Sequence, residues 1–396
     1  MPPRSRLYPF AFLLVLAFAA CGRKNPPPAS QDSLPPFLER AWAFAGAIRD
    51  DAKDRDASQG KVAKAVLDAG LDDEALRLAT GMDGWRKGLV LADAAFAKAI
   101  HGVPATNLFS LVEEAGLLSA SAGDWQRVRI QAHMARAWAA MGQEERLVAS
   151  RDRFGHDDSE RGKLAAYHAL AMARNGKVEP ALALLQGVAG ETHYDVVIDT
   201  LRGFLLVARE GKLPPDKVDG LLESAWAYGE KIPGFMRPAF RLEIVGFLVE
   251  LGRVEEARNK MEEVETELLA VGIPAHVKAP LLAETGKTWG LVGSPGRLDG
   301  LLPVIRALEE SPDVQNIERP AVLAAVAEAL AACGKTAEAG TTFAEAIRQA
   351  AALANARPRA LAAVEICLAL HRSQAAAGAH AADLDRLLAS FDEAAN

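Results

Sequence analysis

From about residue 55 onward, apolar residues return every three or four positions in segments the length of a helix, and a glycine closes one segment after another. These glycines are Gly70, Gly102, Gly142, Gly176, Gly211, Gly252, Gly293 and Gly334, at intervals of 32, 40, 34, 35, 41, 41 and 41 residues. A period of this kind marks an internal repeat. Before the glycine stands a run such as Arg319-Pro-Ala-Val-Leu-Ala-Ala-Val-Ala-Glu-Ala-Leu-Ala-Ala-Cys333, and after it comes a stretch such as Gly252-Arg-Val-Glu-Glu-Ala-Arg-Asn-Lys-Met. The glycine supplies the left-handed end of a first helix, and the acidic residues suit the positive N-terminus of a second. Each period is therefore read as a helical hairpin.

Positions counted from the glycine carry the packing code. Five residues after it stand Ala75, Ala181, Ala257 and Ala339; nine after it, Leu185, Met261, Leu302 and Phe343; twelve after it, Val188, Val264, Ile305 and Ala346. These spacings put all of them on one helix face. Three residues before the glycine, Ala99, Ala139, Ala173, Ala208, Gly290, Ala331 and Ala369 stay small, broken at Val249, which lets helices approach closely. Arg372 takes the glycine's place in the last unit.

This pattern resembles the tetratricopeptide repeat over roughly residues 55 to 372. It departs in having no closing proline in register and in units of 41 residues, longer than usual. The resemblance implies an all-α fold: an α-solenoid of about eight to nine stacked helix-turn-helix repeats within residues 37–396, with a curved surface of inner helices. No single hairpin can bury its apolar stripe, so neighbours must stack to build the core. Residues 37–50 read as an N-terminal packing helix and 381–391 as the closing one.

Composition narrows the possibilities. The chain has 396 residues, half of them apolar, 6% aromatic and 24% charged, which excludes an all-β or disordered protein. A net charge of −7 gives no broad cationic surface for nucleic acid. Three cysteines are too few for a disulfide scaffold or a Cys-rich metal centre.

The N-terminus reads as an address. Residues 1–20 place Arg4 and Arg6 before an apolar stretch of about 14 residues, a secretory signal too short for a comfortable membrane span. The sequence Phe18-Ala19-Ala20-Cys21-Gly22 resembles a bacterial lipobox, departing from it at Phe18. That resemblance implies diacylation of Cys21 and cleavage before it. Residues 21–36, with five prolines, form a semi-extended tether. Glycine at 22, where an aspartate would resemble an inner-membrane retention signal, favours the outer membrane, facing the periplasm, in a two-membrane host.

One ladder was not required by the packing code. Fifteen residues before each glycine, or before Arg372, stand Arg55, Lys87, Arg127, Arg161, Val196, Arg237, Lys278, Arg319 and Arg357. With 45 basic residues in 396, about one hit in nine positions is expected by chance. The cations sit at the start of the first helix, already the positive end of its dipole. Two readings follow: each cation braces its unit against an acidic residue or helix C-terminus of the preceding one, or the row offers donors to an acidic peptide, a phosphorylated headgroup or a glycan polymer.

Motifs for chemistry are weak. Gly286-Lys287-Thr288 and Gly334-Lys335-Thr336 resemble P-loop tails but lack the first glycine, at Leu281 and Ala329, and a preceding strand. There is no His-Glu-x-x-His and no Gly-x-Ser-x-Gly. His133 and His168 read as core or rim residues, His156-Asp157-Asp158 as part of a solvated loop, Cys333 and Cys367 as buried free thiols, and Trp138 and Trp289 as core filling. No catalytic residue, cofactor or metal is expected. The functional expectation is a lipid-anchored envelope protein that scaffolds or recruits a protein or peptide partner. The alternatives are an α/α-toroid enzyme acting on an envelope polysaccharide and a structural spacer.

Overall fold

The computed structural model describes residues 34–82, 84–148, 158–189, 194–376 and 378–393. The expected signal segment, Cys21 and the expected tether as far as residue 33 lie outside the described residues, as does most of the polar segment around His156. Among the described residues the chain is helical, with no strand. In chain order the α-helices are α1 (Pro36–Gly46), α2 (Ala52–Asp68), α3 (Asp72–Thr80), α4 (Trp85–Ile100), α5 (Phe109–Ala120), α6 (Asp124–Ala140), α7 (Asp158–Arg174), α8 (Val178–Ala189) and α9 (Tyr194–Glu210). They continue as α10 (Pro215–Tyr228), α11 (Arg237–Glu250), α12 (Val254–Ala270), α13 (Ala275–Leu291), α14 (Arg297–Glu309), α15 (Arg319–Ala332), α16 (Thr336–Ala351), α17 (Ala356–Arg372) and α18 (Ala381–Glu393). A further helical stretch covers 144–148.

The hairpin turn explains why the helices stop where they do. At the end of α15, Gly334 adopts φ 75°, its N–H donates to Ala331 O at 2.9 Å, and Lys335 N–H donates to Leu330 O at 2.9 Å. This closes the last carbonyls of the helix and turns the chain back. The same left-handed residue recurs at Gly70, Gly102, Gly142, Gly176, Gly252 and Gly293. Two positions differ from the sequence reading. In the fifth unit Lys212 (φ 55°), not Gly211, takes the left-handed conformation, and in the ninth Gln374 (φ 53°), not Arg372, does so. The repeat register therefore shifts by one residue in the fifth unit and by two in the ninth. In the corrected register the small series three residues earlier ends at Arg209, Val249 and His371.

The first helices α2, α4, α7, α9, α11, α13 and α15 each pack against the second helix of their own hairpin and against the first helix of the next. Ala75, Ala181, Ala257 and Ala339 are buried at this contact, as are Leu185, Met261, Phe343, Val264, Ile305 and Ala346, while Leu302 and Val188 are half-buried. A close approach joins α7 and α9, where a Cβ added to Gly203 would stand 2.5 Å from the Cβ of Ala166. Only glycine admits that contact.

The contacts along the array run further than from neighbour to neighbour. The first helices α2, α4, α6, α7, α9, α11, α13, α15 and α17 touch in succession, and α17 then touches α2, so the series closes on itself. Helix α1 makes this possible by packing against both α17 and α2, in the place of the ninth second helix. It buries Phe37, Leu38, Ala41, Phe44 and Ala45, and Leu34 before it is buried too, so the tether ends by entering the core. Across the seam Arg357 bonds Asp51 at 2.8 Å and lies 3.3 Å from Asp54, Arg40 holds Asp385 at 2.8 Å, and Lys61 pairs with Glu365. Helix α18 lies against α16 and α1, with Phe391 edge-on to Phe44 at 6.1 Å.

Candidate functional site

The hairpin topology places all nine first-helix starts on one face of the ring, which we call the entry face, and the left-handed turns on the other. Because second helices run antiparallel to first helices, they end on the entry face. That arrangement accounts for the basic ladder. Arg127 donates to Ala122 O at 3.1 Å, just past the end of α5. Lys278 donates to Leu269 O at 2.9 Å and Val271 O at 3.0 Å at the end of α12. Arg237 donates to Ile232 O at 3.3 Å and Glu230 O at 3.4 Å, and bonds Glu230 Oε2 at 3.0 Å. Each cation sits near the positive end of its own helix but reaches the unsatisfied carbonyls and negative end of the preceding one.

The corrected register replaces two members of the ladder. Val197 takes the slot read as Val196, and Arg359 takes the slot read as Arg357. Arg359 makes the carbonyl contact, donating to Leu353 O at 3.2 Å and Ala354 O at 3.4 Å beyond α16, whereas Arg357 serves the seam. Lys87 pairs with Glu114 at 2.9 Å and Arg55 with Asp56 at 3.3 Å. Arg161 is also engaged, and the charge of Arg319 acts on Glu309 at the end of α14. The ladder residues are spread around the ring and do not converge on one site.

A second set of charged residues, not recognised from sequence, lies nine, six and two residues before the left-handed position, except that Arg202 and Arg209 stand ten and three before Lys212. Neighbours pair at matching heights, as parallel helices require. His133 Nδ1 is 2.8 Å from Asp93, with Arg136 at 3.9 Å from the same carboxylate and 3.8 Å over the Phe96 ring. Arg202 bonds Glu243 at 3.1 Å, and Arg209 forks onto Glu250 at 3.0 and 3.1 Å. Lys287 lies 2.7 Å from Glu328 and 3.5 Å from Glu284, and Arg372 bonds Glu328 at 2.8 Å, joining α13, α15 and α17. With Lys61–Glu365, these pairs form a charged belt that crosses the seam.

Environment separates the belt carboxylates. Burial pushes the Glu243 carboxyl above its ordinary value despite Arg202, and burial does the same to Glu284 despite Lys287. Burial also works against the Glu328 carboxylate, but Arg372 and Lys287 outweigh it and hold the group below the usual range. Asp93 is likewise held low by His133 and Arg136 against the cost of burial.

The entry face also carries exposed apolar side chains: Trp125 (56% exposed), Phe235 (55%), Ile317 (48%) and Leu269 (40%). On the opposite face Leu251 stands out. At the starts of α4 and α6, Trp85 and Trp125 meet edge to face at 5.0 Å. Arg86 lies over Trp85 at 4.5 Å, and Arg129 over Trp125 at 5.7 Å. Both tryptophans stand 17 residues before their left-handed glycines, so the signal was present in the sequence as a matched pair.

The remaining motifs serve packing. Gly286-Lys287-Thr288 is interior to α13, with Lys287 held in the belt, and Gly334-Lys335-Thr336 is a hairpin turn. His168 lies 3.6 Å from Glu144, away from His133. Cys333 and Cys367 are free thiols; Cys367 is buried, which pushes its pKa up, and Cys333 is half-buried against Gly286 O at 3.5 Å. Trp289 is buried, and Trp138 packs on Phe109 at 5.6 Å. Among the described residues no three metal-ligating side chains gather, and no helix is long and apolar enough to cross a membrane. No family model, curated protein or solved structure matches the chain.

Proposed function

We propose that this chain is a non-catalytic envelope protein, held to a membrane through lipid on Cys21, whose ring of tetratricopeptide-like hairpins binds another protein through its entry face. The observation that carries this reading is that the exposed side chains of Trp125, Phe235, Leu269 and Ile317, though spread around the ring, all lie at that face. Exposed apolar groups rimmed by charge are a mark of protein-binding surfaces. The belt carboxylates Asp93, Glu243, Glu250, Glu328 and Glu365 are each engaged by a cation, which suits bracing better than proton transfer to a substrate.

The test is photo-crosslinking in the native envelope from a probe residue at Phe235 or Ile317, with Leu251 as the control position. A discrete adduct at the first two and none at Leu251 is the expected result. Equal labelling of both faces, or none at Phe235 and Ile317, would overturn the reading.

One observation favours a second reading. Ring closure is the architecture that an α/α-toroid enzyme acting on an envelope polysaccharide would need, and Glu284 and Glu328 share Lys287 within it. Release of reducing ends from envelope polysaccharide by the purified chain, abolished in Glu284→Gln, would favour the enzyme.

A further inference from the structure

The ring pairs most of its charges, which makes one unpaired group informative. Among the described residues, Arg86 and Arg129 make no ion pair and no hydrogen bond; each guanidinium is held by a tryptophan. Arg86 lies seven residues before Asp93, and Arg129 four before His133, so both share the helix side that carries the belt. The acidic residues nearest Arg86 on α2 already have cations of their own: Asp56 is 3.3 Å from Arg55, and Asp54 is 3.3 Å from Arg357. Burial lowers the pKa of Arg86 against the attraction of Asp56, and Arg129 adds like-charge repulsion. Two neighbouring cations thus stand without an ion pair or hydrogen bond of their own among the described residues, on the face that carries the exposed apolar residues.

Their geometry points to the kind of group that would join them. A guanidinium beside an indole and without an ion pair keeps N–H donors free, and these fork onto a carboxylate. With a cation over each ring, the pair offers charge more readily than the open indole platform a sugar ring needs. Trp125 remains 56% exposed beside them, able to receive an apolar side chain. From these observations we propose that Trp85, Arg86, Trp125 and Arg129 bind an extended acidic segment of a partner protein in which carboxylates alternate with apolar residues. This rests on the entry-face reading above and names the partner's chemistry.

The full-length chain in detergent micelles would be titrated into a fluorescein-labelled, end-blocked (Glu-Leu)4 peptide, followed by anisotropy and tryptophan emission. Binding that weakens with added salt is expected, with (Gln-Leu)4 and (Lys-Leu)4 inactive. The double variant Arg86→Gln with Arg129→Gln should bind about tenfold more weakly or worse, with unchanged helical content and thermal midpoint, because each charge-assisted contact is worth about that factor. Arg306→Gln, on an exposed outer position of α14, should bind like the wild type. Undiminished binding by the double variant, equal binding of (Gln-Leu)4, or binding of polygalacturonate in place of the peptide would each overturn the proposal. If crosslinks persist at Phe235 and Ile317 while the peptide fails to bind, this site falls and the wider reading stands. If the peptide binds but those crosslinks are absent, the reverse holds.

Discussion

Arg359 and Arg357 are two residues apart, both basic, and do different work. Arg359 satisfies carbonyls beyond α16 and also bonds Ser390 Oγ at 3.0 Å, tying α18 to the ring. Arg357 joins the two ends of the chain through Asp51 and Asp54. Hydrogen bonds from a charged donor are worth about 1.5–3 kcal/mol net when partly buried, and less when exposed. Arg359→Ala should therefore lower the urea unfolding free energy by roughly 1–2 kcal/mol, and the more exposed Arg357→Ala by about 1 kcal/mol or less. Equal losses would deny the register given by Gln374. Glu328 has a larger effect, since its removal leaves Lys287 and Arg372 facing each other in a buried site. Glu328→Ala is expected to cost about 3–5 kcal/mol in the same measurement.

At the scale of the helix, the belt carboxylates make opposite contributions as pH changes. Glu328 is depressed in the fold, so its contribution is present above the unfolded carboxyl value of about 4.3 and is lost as pH falls through the lower folded value. Glu243 is raised, so its relative advantage is present below about 4.3 and declines as pH rises through the folded value. Urea midpoints taken from about pH 4 upward should show the wild type falling relative to Glu243→Gln, and the gap should level off once Glu243 is ionised. A constant difference across that range would show that burial does not govern this group. The hairpins themselves were legible because glycine is the least strained left-handed residue, and it fills that place at seven of the nine turns. Lys212 and Gln374 were not legible, because an ordinary side chain in that conformation leaves no mark in composition, and Gly211 beside Lys212 offered a false one. The belt was hidden in the last unit for a related reason: counting from Arg372 rather than Gln374 moved Glu365 and Arg372 out of line with Lys61 and the other belt positions.

At the scale of the molecule, closure decides what the entry face can see. Nearest-neighbour packing codes appear in every repeat, whereas the small rotation between repeats that bends a stack into a ring is summed over all nine and is written in no single residue. Helix α1 supplies the sequence-distant contact that fixes the result, and it also sets direction. As an outer helix it begins on the turn face, where Arg40 near its start lies close to Cys367 and Asp385, and it ends on the entry face beside Asp51. The 13 residues from Cys21 to residue 33 therefore join the ring at the turn face and span at most about 45 Å. If Cys21 carries lipid, the turn face looks toward the bilayer and the entry face away from it. Leu251, exposed on the turn face, and Ile317, exposed on the entry face, report the two sides. With a fluorophore on Leu251→Cys or Ile317→Cys of the full-length chain in vesicles containing brominated lipid, quenching should be stronger at 251 than at 317. The reverse order would place the binding face against the membrane, where the exposed Trp125, Phe235 and Ile317 would meet lipid before they met another protein.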